Sequence, residues 1–359
     1  QRLAQQRLAR GPLASAQAVV AWLGAMQAQE YPGAAWSLAL RMDGATAAAI
    51  DRAFDAGEIL RTHVMRPTWH FAAPADLRWL LQLTGPRVLA GNAYRNRQLA
   101  LDDSTYARTD ALIAAALAGG QHLTRTELGA MLAAAGVDVA GQRMPYVLMH
   151  AELVGLICSG PKRGKQFTYA LLEERVPPAP ARSRTDALAE LARRYFTSHG
   201  PATVHDFVWW SGLTVADARA GLAAAGDTLA HETVAGKTYH FAATPEQDAA
   251  SAPAAYLLPT YDEFLVGYAA FGAARQGATS GGQGSRAPLL FQATVVADGQ
   301  VIGTWQRTLR RDAVAIEVAP FAPLTDAQAE AISAAAARYS AFHELPLAGP
   351  EFLRATGGA

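Results

Sequence analysis

A chain of 359 residues, 51% apolar and 17% charged, has room for two to four domains and can bury large cores. Its 31 Lys+Arg balance 31 Asp+Glu, so bulk positive charge does not hold it to nucleic acid, and any DNA contact must come from local basic patches. The one cysteine, Cys158, excludes an internal disulfide and a cysteine-rich metal site, which suits a reducing cytoplasm. No apolar run is long enough to span a bilayer, and Arg2, Arg7 and Arg10 are not followed by a signal-type apolar core.

Three segments repeat one pattern: a helix start, an apolar helix, a short turn, a second helix and a two-strand hairpin. In the first, Ser15 is placed to cap a helix running through Val19-Val20 to Trp22-Leu23. A later helix is expected over 45–56, then strands over 58–64 and 68–71 around Met65-Arg66-Pro67. Connecting helices are expected over 74–83 and 87–99. In the second segment, Thr124-Arg125-Thr126-Glu127 is a capping box. A helix over 144–153 follows, then strands over 155–159 and 166–170 that flank the basic turn 160–165. Pro177-Pro178-Ala179-Pro180 reads as a linker. The third segment has capping-box character at Thr203-Val204-His205-Asp206, a helix start at Thr214, and strands over 229–234 and 237–241.

After residue 250 the pattern changes. Strands are expected over 256–259, 289–297, 301–309 and 313–318, with Asp298-Gly299 as a hairpin turn. A helix over 325–339 follows, and the Gly/Ser-rich run 277–285 reads as a mobile loop. The expected architecture is α+β: three tandem winged-helix units followed by a small β-barrel-like domain with a closing helix. The corresponding spans are 1–85, 86–176, 181–245 and 250–359.

The stretch from Trp22 to Pro32 carries the most specific chemistry. It begins as an apolar helix that Pro32 is expected to end. Gln27 and Gln29 stand two positions apart, and such residues do not share a face of a regular helix. They converge only if the helix is distorted or ends there. Paired amides can orient a water or a sugar but are not strong bases; the plain alternative is a pair of ordinary helix-end glutamines.

Candidate DNA contacts are His63, Arg66, Thr68 and His70 in the first hairpin, Lys162, Arg163 and Lys165 in the second, and Arg307 beside Arg310 and Arg311. Solvated charged turns would look the same. Neither His63 nor His70 has an acidic partner at metal-ligand spacing, so no metal site is expected. No Gly-x-Ser-x-Gly or phosphate-loop pattern is present. Asp262, in Tyr261-Asp262-Glu263-Phe264, fits either a site or a structural strand end.

These stretches together carry a resemblance. Met26 to Pro32, Arg61 to Phe71, the 160–165 turn, Leu257-Leu258-Pro259 with Tyr261-Asp262-Glu263, and Val295 to Trp305 resemble the AlkZ/YcaQ winged-helix DNA glycosylases over nearly the whole chain. The most diagnostic element is the Gln-x-Gln motif, matched at Gln27 and Gln29. The resemblance implies three tandem winged helices held by a β-barrel domain in a C shape around duplex DNA, with Gln27 and Gln29 catalytic. Actinobacterial members of the Gln-x-Gln type unhook interstrand crosslinks.

The implied activity is monofunctional hydrolysis of the N-glycosidic bond of N7-alkylated purines, including bulky adducts and crosslinks. It would proceed by water attack, without a cofactor, by a monomer on double-stranded DNA. The residues suit that chemistry. An N7-alkylguanine is cationic and already a good leaving group, so no general acid is needed. Two amides can direct water and stabilise an oxocarbenium-like sugar. Candidate groove probes are the Asp298-Gly299 hairpin and the loop 268–277. A non-catalytic winged-helix regulator and a drug-sequestering self-resistance protein remain as alternatives, because fold alone does not fix function.

Overall fold

The computed structural model describes residues 1–9, 11–243, 255–269 and 291–352. The loop 277–285, Arg275 with most of the loop 268–277, and the first two residues of the strand expected over 289–297 lie outside the described residues.

After the short α1 (Arg2–Gln5), Ser15 Oγ accepts the Ala18 N–H at 3.1 Å and starts α2 (Ala16–Leu23). Gly24, at φ +86°, ends that helix, and the chain runs on extended as β1 (Met26–Gln27). Pro32 therefore does not end the first helix. It lies in the first turn of α3 (Tyr31–Ala39), where a missing N–H costs nothing. Glu30 caps α3 by accepting the Gly33 N–H at 2.7 Å. Helix α4 (Ala47–Ala56) is capped by Thr46 and ends at left-handed Gly57. The hairpin β2 (Leu60–His63) and β3 (Trp69–Ala72) follows, and β1 joins the far edge of β3.

Where two connecting helices were expected, one 25-residue helix runs through Pro86: α5 (Pro74–Gln98). Its buried stripe of Leu77, Leu80, Leu81, Thr84 and Val88 keeps helical spacing across the proline. The second segment comprises α6 (Asp103–Leu117), β4 (Leu123–Thr124), α7 (Arg125–Ala134), α8 (Arg143–Leu153), β5 (Ile157–Ser159), β6 (Thr168–Leu171) and α9 (Leu172–Arg175). The third comprises α10 (Arg184–His199), α11 (Val204–Ser211), α12 (Val215–Ala225) and the hairpin β7 (Leu229–Val234) and β8 (Lys237–Ala242). Both expected capping boxes form, Thr124 with Glu127 and Thr203 with Asp206.

The last part holds β9 (Ala255–Leu258), α13 (Glu263–Val266), β10 (Thr294–Ala297), β11 (Gln300–Leu309), β12 (Val314–Pro320), α14 (Asp326–Phe342) and β13 (Leu347–Phe352). Asp298 and Gly299, both at positive φ, turn β10 into β11 as expected. The described strands form an open sheet ordered β13-β12-β11-β10-β9, with β9 and β13 at its two edges, and not a closed barrel. The sheet buries its apolar residues against helices instead of against itself. Tyr339 of α14 packs on Trp305 of β11 at 5.1 Å and on Trp36 of α3 at 4.9 Å between ring centroids.

The cores do not follow the segments. One runs from α2–α4 into the last sheet and α14. A second joins the α10–α12 bundle to β2 and α5. A third lies within α6–α8. Where the first and last parts meet, buried Arg41 grips Asp262 through two 2.9 Å hydrogen bonds. Asp262 also accepts the Phe264 N–H at 2.9 Å and so caps α13. Burial alone would raise the Asp262 pKa, but the Arg41 charge and these hydrogen bonds hold it below the usual carboxylate range. Of the two roles open to Asp262, it takes the structural one.

Candidate active site

The chain at Gln27 is extended, not helical, and Gln29 follows two residues on, just past the end of β1. Gln27 pairs with His70 across β1 and β3, and the Ala28 N–H donates to the Trp69 carbonyl at 2.8 Å. In an extended chain, positions i and i+2 point the same way. Burial alternates accordingly: Met26 and Ala28 are buried, Gln27 is half-buried and Gln29 is exposed.

Gln27 is anchored at both ends. Its backbone N–H donates to Glu263 Oε1 at 2.8 Å, and its side-chain Oε1 accepts from Arg66 Nη2 at 3.0 Å. Arg66 Nη2 also lies 3.3 Å from His70 Nε2, and Nη1 donates to the Trp209 and Trp210 carbonyls at 3.2 and 2.6 Å. Those carbonyls sit in the last turn of α11, where the helix leaves them without an intrahelical partner and favours a cation. His70 Nδ1 donates to the Thr68 carbonyl at 2.9 Å, which leaves Nε2 as the acceptor for Arg66. Burial first, then the Arg66 charge, pushes the His70 pKa well below the usual histidine value, so the ring is neutral.

Gln29 is held more loosely. Its Oε1 accepts the Trp69 N–H at 3.3 Å, and its carbonyl accepts from Arg61 Nη2 at 3.3 Å. Arg61 also donates to the Ala28 carbonyl at 2.8 Å and lies over the rings of Trp69 and Phe167, 4.3 and 4.9 Å from their centroids. His63 is buried beneath Trp69, with its Nδ1 on Glu152 of α8.

The expected residues thus fall into two groups. Arg66 and His70 touch Gln27 or its anchor, the Thr68 carbonyl fixes the His70 ring, and His63 supports Trp69. The basic residues of the second hairpin have other partners. Lys162 Nζ pairs with Asp51 at 2.5 Å, Arg163 pairs with Glu127 at 2.6 Å, and Lys165 is exposed. Arg307 lies 3.4 Å from Glu30 Oε1, one residue along from Gln29. The sequence reading missed Arg61, Trp69, Trp210 and Glu263. The acidic pair Asp262-Glu263 was visible, but neighbours on a helix diverge, and it is Glu263 that reaches Gln27.

The chain is α+β, built from helix-and-hairpin segments, with Gln27 on a short edge strand and Gln29 two residues beyond. The AlkZ-like DNA glycosylase family matches residues 20–342, and the chain belongs to that family and is a DNA glycosylase. A curated relative, the interstrand DNA cross-link repair glycosylase of Streptomyces sahachiroi, is 27% identical over 311 residues, covering 81% of this chain and 82% of that protein. The solved structure of Streptomyces sahachiroi DNA glycosylase AlkZ has the same fold, with a TM-score of 0.76 at 21% identity over 98% of this chain and 97% of that one.

Proposed function

We propose that this glycosylase hydrolyses the N-glycosidic bond of N7-alkylated purines in double-stranded DNA, including bulky adducts and interstrand crosslinks. Gln27 and Gln29 are its catalytic residues. The observation that carries the reading is the extended chain at the Gln-x-Gln motif, with Gln27 anchored at both ends and Gln29 exposed beside the Trp69 N–H. The cationic leaving group departs without a general acid, so amides suffice to direct water and to stabilise charge at the sugar. A relative named for crosslink repair supports the larger lesions. A guanine tied to both strands cannot swing freely out of the duplex, so a site raised on a strand edge suits it better than a deep base pocket.

The helix-and-hairpin segments at 1–85, 86–176 and 181–245 act as winged helices on the duplex, with the sheet part at 250–359 holding them, and the protein works as a monomer. Lys165 contacts phosphate directly, and Lys162, Arg163 and Arg307 do so by exchanging their carboxylate partners. The test is incubation with duplexes carrying one N7-methylguanine or one N7–N7 guanine crosslink, followed by alkali. Strand breaks at the lesion in both duplexes are expected. Breaks in the monoadduct alone would remove crosslinks from the substrate class, and breaks in neither would remove the reading.

A further inference from the structure

The groups that hold Gln27 also hold one another. Glu263 takes the Gln27 N–H on Oε1 (2.8 Å) and the Trp210 indole N–H on Oε2 (3.0 Å). Arg66 gives Nη1 to the Trp210 carbonyl (2.6 Å) and Nη2 to the Gln27 side chain (3.0 Å). Four hydrogen bonds therefore close a ring through Gln27, Glu263, Trp210 and Arg66. Its members come from β1, the first hairpin turn, α11 and α13. Glu263 and Trp210 are wholly buried. The turn that delivers Arg66 is tightly set. Met65 is left-handed at φ +65°, and its carbonyl lies so close to Gly212 that a Cβ there would approach within 2.4 Å.

A guanidinium has only donors. The Gln27 atom that faces Arg66 must therefore be its carbonyl oxygen, and the two Nε2 hydrogens point away. Among the described residues nothing accepts from Gln27 Nε2. The adjacent positive charge draws electron density toward Oε1, which makes the Nε2 hydrogens better donors and the oxygen a poorer acceptor. Four of the five Arg66 donors are engaged within the protein, which leaves little with which to grip a phosphate.

We infer that Arg66 is a positioning residue of the active site: it turns the Gln27 amide so that Nε2 donates to an oxygen of the lesion nucleotide, leaving the attacking water to Gln29. The inference rests on the proposed glycosylase site and assigns its division of labour. It replaces the phosphate contact expected of Arg66 with a role exerted through Gln27.

The test is single-turnover base release from an N7-methylguanine duplex at saturating protein, with the dissociation constant measured in parallel over a range of salt. The proteins are the parent, Gln27→Ala, Arg66→Ala, Arg66→Lys and the double variant Gln27→Ala/Arg66→Ala. Arg66→Ala is expected to slow release at least tenfold while binding changes less than twofold. Arg66→Lys keeps the charge but cannot bridge the α11 carbonyls and the amide together, so it should be slow with binding and salt dependence intact. If Arg66→Ala does not fold, this variant decides. The double variant should be no slower than Gln27→Ala alone, because Arg66 acts through Gln27.

A parental rate for Arg66→Ala, with weaker binding and a salt slope reduced by about one, makes Arg66 a phosphate contact and overturns the inference alone. So does a double variant slowed by the product of the two single effects. A parent that releases no base overturns the proposed N7-alkylpurine substrate and the inference with it.

Discussion

His70 shows how one neutral side chain sets the electrostatics of the site. Its Nε2 accepts from Arg66, so a proton there would remove the acceptor and put two cations in contact. Its folded pKa is depressed, first by burial and then by Arg66, so the unfolded chain binds the proton first as pH falls. Folding stability from this group is therefore complete above the unfolded value near 6.5 and is lost as pH drops from there toward the folded pKa. His199, buried against Glu263, is shifted the same way, burial outweighing its hydrogen bond to that carboxylate. Chemical denaturation between pH 7 and 5 is predicted to show stability falling with pH, by up to about 1.4 kcal/mol per pH unit for each such histidine. His70→Gln should flatten that slope. An unchanged slope in the variant would mean that His70 is not the group being titrated.

At the scale of elements, the docking of α13 decides whether Glu263 reaches Gln27. Asp262 caps α13 and is gripped by Arg41, which follows α3. Asp262→Asn keeps the shape but leaves the Arg41 charge buried without a carboxylate, a change predicted to cost about 3–5 kcal/mol in denaturant unfolding and to slow base release as α13 shifts. A loss below about 1 kcal/mol would show that the pair is replaceable.

Elements specified by local chemistry were legible in the sequence: the Ser15 cap, the two capping boxes and the Asp298-Gly299 turn all form where their residues predict. Two were not. The stretch from Trp22 to Pro32 is rich in good helix formers, yet β1 forms because β3 offers a partner edge far along the chain. Pro86 looks like a break, but the buried stripe of α5 continues across it and tertiary packing wins.

In the molecule as a whole, the candidate site lies where three parts of the chain meet. The sequence exposed its outward-facing half. Gln27 and Gln29 form a short local motif, and Arg66, Thr68 and His70 fall together on one hairpin. It hid the inner half, because Trp210 and Glu263 stand more than a hundred residues from Gln27 and only the shared cores bring them together. The final sheet was legible as strands but not as an open sheet, since nothing local distinguishes closure onto itself from burial beneath α14. Support assembled from distant parts holds Gln27 on an extended strand and not at a helix end, as the proposed catalytic role of the Gln-x-Gln pair requires.

The most direct test of that claim is single-turnover base release from a duplex bearing one N7-methylguanine, comparing the parent with Gln27→Ala and Gln29→Ala and measuring DNA binding for each. The account predicts release by the parent and a rate at least roughly tenfold lower in each variant, about 1.4 kcal/mol of transition-state stabilisation, with binding retained. Parental rates in both variants would contradict it and return the two glutamines to a structural role.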